Sequence, residues 1–356
     1  YERESGQKLN KEKTSLFFSK NTAVEVKEGV KELFGAEIIH QHERYLGLPP
    51  LVGRGKRKAF NRIKDQVGRK IASWKGRLLS TAGREILIKA VAQATPTYTM
   101  NCFLLPDSLC SELNSLVRNF WWGQRDKEKK LAWIAWGKLC KPKAEGGMGF
   151  KDLKAFNLAL LAKQGWRLSQ NPCSLAHRVL KARYFPSNNF MEAQLGNLPS
   201  YTWRSLLAAR EISERGRRWN IGNGQQVRIW ADRWLPTPHS FKVISPKPQD
   251  FDGEMVESLI NQQEGGWDKN LVRRVFIPHE AESILSIPIS LSLPEDAVSW
   301  AWTPNGRFTV SSAYKVACSW LCERRSKEEG CGVSDPGKGR QFWKFLWQLH
   351  CPSKVK

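Results

Sequence analysis

No stretch of about 18 uninterrupted apolar residues occurs in this 356-residue chain, so no transmembrane helix is expected. The longest charge-free run lies between Lys89 and Asp107, and Gln93, Thr95, Pro96, Thr97, Thr99 and Asn101 interrupt it. Acidic residues are scarce: 34 Asp and Glu stand against 57 Lys and Arg, a formal net charge of +23. That balance makes nucleic acid the commonest class of partner. No secretory leader is evident. The sequence opens Tyr1-Glu2-Arg3-Glu4 without Met and reads as a chain cut out of something longer. The eight cysteines are scattered without a paired framework, which suits a reducing compartment. The expected location is the nucleus or cytoplasm, not secretion.

Catalytic signatures are missing too. No Asp-Asp dipeptide occurs, and the closest pair of aspartates, Asp250 and Asp252, sits among prolines. Two-metal phosphoryl transfer needs clustered, rigidly held carboxylates, and none is convincing here. Phosphate-loop, zinc-protease and dinucleotide fingerprints are absent. Gly222-Asn223-Gly224 lacks a third glycine and a following helix, so it reads as a turn.

Hydrophobic residues make up 41% and charged residues 26%, as in a folded, water-soluble protein. The pattern predicts a predominantly α-helical α+β fold with short β-hairpins. Phe60, Ile63, Val67, Ile71 and Trp74 recur on one helix face. Ser80 or Thr81 caps a second helix that Pro96 ends. A third runs from about Asp107 to Trp121 with Leu109, Leu113, Leu116, Val117 and Phe120 inward. Phe156, Leu160, Leu161 and Trp166 mark another. Hairpins are expected across Gly222-Asn223-Gly224 and Pro304-Asn305-Gly306. After the second, Ser311 or Ser312 caps a helix to about Cys322. The 16 tryptophans fit either a packed core or base stacking.

Residues 56–94 are the strongest functional signal. They carry eleven basic residues (Lys56, Arg57, Lys58, Arg62, Lys64, Arg69, Lys70, Lys75, Arg77, Arg84 and Lys89) against Asp65 and Glu85 alone. Arg62 and Arg69 lie opposite the apolar stripe. Such a face can track phosphates by displacing counterions, without reading sequence. A solvated helix face is the competing reading, and the lack of compensating acids favours nucleic acid. Gly53-Arg54-Gly55-Lys56-Arg57-Lys58 resembles a nuclear-localisation run, but such runs are common by chance, and a phosphate-contacting loop or plain solubility is the favoured reading. His40-Gln41-His42-Glu43 lacks a third metal ligand and reads as surface. Cys318, Cys322, Cys331, His350 and Cys351 have irregular spacing for zinc and read better as ordinary thiols and a histidine.

Taken in order, several blocks resemble the plant branch of LINE-type non-LTR retrotransposon reverse transcriptases. Ser5-Gly6-Gln7-Lys8-Leu9-Asn10-Lys11-Glu12-Lys13-Thr14 resembles polymerase motif D. His42-Glu43-Arg44-Tyr45-Leu46-Gly47-Leu48-Pro49 resembles motif E, the primer grip. Trp74-Lys75-Gly76-Arg77-Leu78-Leu79-Ser80 with Ala82-Gly83-Arg84-Glu85 resembles the thumb. Phe120-Trp121-Trp122-Gly123, Gly146-Gly147-Met148-Gly149-Phe150 and Leu161-Ala162-Lys163-Gln164-Gly165-Trp166-Arg167 are similar to blocks further along that family. Arg307-Phe308-Thr309-Val310-Ser311-Ser312-Ala313-Tyr314 and Phe342-Trp343-Lys344-Phe345-Leu346-Trp347 resemble the start of its zinc-binding domain.

The resemblance implies a layout. Residues 1–50 would be a palm remnant and 51–140 a basic helical thumb. Residues 141–235 would be a Trp-rich helical and hairpin segment, 236–296 a Pro-rich connector, and 297–356 the start of the zinc-binding domain. The parent would be an RNA-directed DNA polymerase. Its fingers, its palm and the Tyr-x-Asp-Asp active site would lie before Tyr1, so catalysis by this chain itself is left undecided. Its zinc ligands would follow Lys356, and its Mg²⁺ belongs to the parent rather than to any residue here. No cofactor is expected in this chain. The implied partner is an RNA–DNA hybrid or duplex, with no membrane. Phosphate contacts would come from Lys56, Arg57, Lys58, Arg62, Lys64, Arg69, Lys75, Arg77 and Arg84. Tyr45, Leu46 and Gly47 would support the primer end. Lys13 falls where motif D carries a proton-donating lysine, or is a plain surface lysine beside Lys11. A stand-alone basic nucleic-acid-binding protein and a decayed element product are the alternatives.

Overall fold

The computed structural model describes residues 14–19, 21–39, 47–49, 52–53, 55–74, 79–123, 131–237, 240–261 and 265–329, with Gly6, Lys8 and Asn10. The chain forms two units, Tyr1–Arg62 and Ile63–Lys356. Among the described residues it is predominantly helical, with short strand pairs and no closed sheet, as the apolar periodicity predicts.

In the first unit β1 (Ser15–Leu16) pairs in parallel with β2 (Glu37–Ile38), Ser15 opposite Glu37 and Leu16 opposite Ile38. Parallel neighbours need a crossover, and α1 (Val24–Phe34) supplies it. Gly35 ends α1 at φ 60°, in the left-handed region that glycine adopts without strain, and its N–H donates to the Lys31 carbonyl.

α2 (Lys56–Ser73) buries Phe60, Ile63 and Val67 and half-buries Ile71, the face that the sequence spacing marks. α3 (Thr81–Leu87) starts at Ser80, whose side chain accepts the Gly83 N–H. It continues as a π turn over Ile88–Ala92, closed by the Gln93 N–H on the Ile88 carbonyl. α4 (Thr97–Met100) follows, then α5 (Asp107–Trp121), which buries Leu109, Leu113, Val117 and Phe120.

The centre of the second unit is α7 (Leu153–Gln170), reached through the short α6 (Trp136–Leu139). The Asp152 carboxylate caps α7 on the Ala155 N–H, and nearly every residue from Leu153 to Ala162 is buried. α8 (Leu175–Tyr184), α9 (Tyr201–Ala208), α10 (Arg210–Gly216) and α13 (Val310–Glu329) surround it. Buried Asn157 fixes the loop before α5. Its amide nitrogen donates to the Met100 and Phe103 carbonyls, and its oxygen accepts the Leu105 N–H. Every polar atom of that side chain is thus satisfied inside the core.

Tryptophan supplies much of the packing. Trp203 is stacked by Tyr184 at 4.7 Å, and Trp300 meets Phe308 at 4.5 Å and Trp166 edge-on at 5.5 Å. Trp203, Trp234 and Trp300 are fully buried. Trp121 and Trp267 are buried as well, whereas Trp133 and Trp302 are exposed, so the tryptophans of the described residues divide between core and surface.

A second apolar core gathers Val227, Ile229, Trp234, Val256, Trp267 and Ile284, among others. Residues 236–296 hold a 3₁₀ turn at Val256–Leu259, a hairpin of β4 (Ile260–Asn261) and β5 (Gly266–Trp267), α11 (Lys269–Val275) and α12 (Pro278–Leu285). Pro278 sits in the first turn of α12, where a missing N–H costs nothing. Glu280, buried in this region, accepts the N–H groups of Ile244 and Ser245 and the Ser245 hydroxyl.

Two hairpins expected from Asn-Gly signals form differently. β3 (Arg217–Asn220) pairs not across the Gly222-Asn223-Gly224 turn but antiparallel with the distant β6 (Ala297–Trp300). The cause is Asp296: its carboxylate takes the Gly222, Gly224 and Gln226 N–H groups at 2.7, 3.0 and 2.9 Å. Those donors are spent on a side chain instead of a strand. The Thr303-to-Gly306 turn closes, but Val310 enters α13. Thr309, not Ser311 or Ser312, caps that helix, its hydroxyl accepting the Ser312 N–H. Asp296→Asn is expected to cost about 2 kcal/mol, because an amide N–H then faces a backbone donor. Chemical denaturation checks this, and an unchanged midpoint would remove Asp296 as the organiser of the turn.

Candidate nucleic-acid interface

α2 presents its basic residues as the stripe dictates. Lys56, Arg57, Arg62, Arg69 and Lys70 are exposed. The Arg69 side chain reaches back to the Asp65 carbonyl at 3.4 Å, and Lys70 to the Thr95 hydroxyl at 3.3 Å. Lys64 forms an ion pair with Glu112 at 2.7 Å. The helix ends where Trp74 packs on Phe120, ring centroids 5.0 Å apart.

Two basic residues of this region are turned inward. Arg84 is half-buried, donates to the Trp121 carbonyl at 3.3 Å, and lies under Gly123. Lys89 donates to Glu85 at 2.6 Å and to the Met148 carbonyl at 2.7 Å, which seats the Gly146–Gly149 loop. Beside it the buried Gln93 holds both backbone groups of Lys151. The π turn thus sits where two neighbouring side chains clasp one loop. Among the remaining candidates, Gly47 is exposed with φ 77°. Lys13, Tyr45, Leu46, Lys75 and Arg77, and the side chain of Lys58, lie outside the described residues. So do His40 and His42.

Burial raises the pKa of the Glu85 carboxyl, but Lys89 and Lys143, by hydrogen bonds and charge, together outweigh it and hold the group below 4.5. The folded pKa is depressed, so this stabilisation is complete above the unfolded value and is lost as pH falls through the folded one. Glu85→Gln should therefore melt below wild type at neutral pH, with the gap closing as the solution is acidified below pH 4.5. A gap independent of pH would contradict the ion-pair account.

Among the described residues no three His, Cys, Asp or Glu side chains gather as a metal site requires. Burial pushes the Cys140 thiol up to about 12 and the Cys318 thiol up to about 11. Both are protonated at neutral pH and behave as core thiols. Cys322 and the pair Asp250 and Asp252 are exposed.

A second basic region lies along α7 and α8. Between Asp152 and Glu192 the sequence contains no acidic residue. Lys163, Arg167, Arg178, Lys181 and Arg183 in that span are all exposed on α7 and α8. The missing acids, and the block at 161–167 that holds Lys163 and Arg167, were the signals available in the sequence. No helix among the described residues is long and apolar enough to cross a membrane.

These features define a basic, helix-rich chain with tryptophans in its apolar cores and solvent-facing arginines on α2. It belongs to a protein family represented in Arabidopsis thaliana. It is 46% identical over 143 residues to the "Uncharacterized mitochondrial protein AtMg00310" of that plant, covering 40% of this chain and 93% of the relative. It is also 32% identical over 314 residues to the Arabidopsis "Putative ribonuclease H protein At1g65750", covering 87% of this chain and 48% of that protein. The chain thus spans nearly all of the first relative and about half of the second. No family model matches it.

Proposed function

We propose that this chain is a nucleic-acid-binding portion of a plant retrotransposon RNA-directed DNA polymerase, gripping the primer-template duplex by its backbone without catalytic carboxylates of its own. The observation that carries the reading is α2, with Lys56, Arg57, Arg62 and Arg69 exposed beside a buried apolar stripe. Lys58, Lys75 and Arg77 are assigned the remaining phosphate contacts, whereas Lys64, paired with Glu112, and Arg84, held on the Trp121 carbonyl, are assigned to the fold. Tyr45, Leu46 and Gly47 are assigned to the primer end and Lys13 to proton donation. The name of the longer relative refers to ribonuclease H, an activity on nucleic acid, and its extra length fits a chain that is one part of a larger element protein. Mg²⁺ in this reading belongs to the polymerase as a whole, and zinc to a domain following Lys356. The site of action is the nucleus or cytoplasm.

One observation supports a second reading, a stand-alone basic nucleic-acid-binding protein derived from the element. The 143-residue match covers 93% of the shorter relative, so a corresponding stretch is found as a protein by itself. Primer extension on an RNA template with Mg²⁺ tests the first reading. The chain is expected to bind the hybrid and add no nucleotides by itself. Extension would reveal an active site that the proposal excludes.

A further inference from the structure

A cleft of about 940 Å³ opens beside α7, between its C-terminal half, α8 and α9. That is the size of a pocket for a small organic ligand. Its apolar floor is Leu168, Leu180 and Leu206. Its rim is an ordered chain of polar groups. Asn101 donates to the Thr97 carbonyl at 2.7 Å, Gln164 donates to the Asn101 oxygen at 3.2 Å, and Arg167 reaches the Gln164 oxygen at 3.5 Å. Asn171 spends its amide nitrogen on the Arg167 carbonyl, which leaves its oxygen to accept. No acidic residue lines the cleft. Ten of its fourteen lining residues belong to the acid-free span between Asp152 and Glu192, with exposed Lys163, Arg178, Lys181 and Arg183 on the same helices.

We infer that this cleft binds a nucleotide, the unpaired base lying on the leucine floor and the phosphate on Arg167. The chemistry selects this ligand. An apolar floor receives a base face, and side-chain amides offer both a donor and an acceptor to a base edge. A positive wall without acids favours an anion over a neutral or cationic ligand. The inference rests on the nucleic-acid reading but not on α2. It places an unpaired nucleotide at a site separate from the backbone-tracking helix. The cleft accepts either a free nucleotide or one nucleotide of a single strand.

The test titrates the full chain with each of the four nucleoside 5′-monophosphates, with a short single strand and with ribose 5-phosphate, followed by calorimetry or saturation-transfer NMR. At least one monophosphate or the strand is expected to bind, and ribose 5-phosphate more weakly. Ala176→Trp, at an exposed residue of the cleft wall, should abolish that binding while leaving duplex affinity and melting temperature unchanged. Arg167→Glu, also exposed, should weaken it by about tenfold or more. It serves as the second variant if the tryptophan perturbs folding. Binding of the strand but of no free monophosphate supports the cleft with a strand as its source. Failure of every probe, or wild-type binding in both variants, overturns the inference. Loss of duplex binding with retained nucleotide binding would instead overturn only the α2 reading.

Discussion

Gly216→Val is expected to unfold the α7 core, with a destabilisation of about 4 kcal/mol or more. A Cβ at this position would stand 2.0 Å from the Trp300 ring, well inside contact distance. The ring cannot yield. It is fully buried, its indole N–H donates to the Ser312 hydroxyl at 2.7 Å, and Trp166 and Phe308 hold it from other sides. Gly216 is also the residue at which α10 gives way to β3, so a shift there strains the β3–β6 pair. The matched control is Gly68→Ala in α2, where a Cβ meets nothing within 4 Å. That change should stabilise by about 0.5–1 kcal/mol through helix propensity alone. Thermal and urea melts of the two variants read opposite signs. Equal and small effects would contradict the packing of Trp300 on α10.

The largest functional effect is expected from the double reversal Arg62→Glu and Arg69→Glu. Both side chains are exposed on α2, so the fold should tolerate the change. Each arginine that neutralises a phosphate contributes about one unit to the slope of log affinity against log salt. Removing two should flatten the slope by about 2 and weaken duplex binding at low salt by about 100-fold. Arg84→Gln serves as a contrast. That guanidinium is anchored to the Trp121 carbonyl beneath Gly123, so its loss should lower stability more than affinity. If the double reversal left affinity and slope unchanged, α2 would be a solvated face and nothing more.

The helices were the legible part of this sequence. α2 and α5 each bury one face against a neighbour, so their apolar residues repeat at helical spacing, and the buried residues match that spacing closely. α7 is buried almost all round over its first half, which leaves a weak periodic signal, yet Phe156, Leu160, Leu161 and Trp166 still mark a helix. The hairpins were not legible. A local Asn-Gly signal cannot show that Asp296, far along the chain, will claim the turn's N–H groups. Nor could prolines between 236 and 296 show that the intervening Val256, Trp267 and Ile284 share a core. For the candidate interface, counting charge found the basic region but could not sort it. Arg62 and Arg69 face water, whereas Lys64 is paired with Glu112 and Lys89 clasps a loop. That difference depends on tertiary neighbours. The polar rim of the cleft was not legible, because Asn101, the end of α7 with Gln164 and Asn171, and Thr202 come from three segments with no fixed spacing.

Backbone-directed nucleic-acid binding is the central claim, and its most direct test is the affinity of the full chain for an RNA–DNA hybrid and for duplex DNA across a salt series. The account predicts binding to both, with log affinity falling linearly and steeply as log salt rises and with no dependence on base sequence. A flat salt profile, or no binding to either duplex by a chain that melts cooperatively, would contradict it.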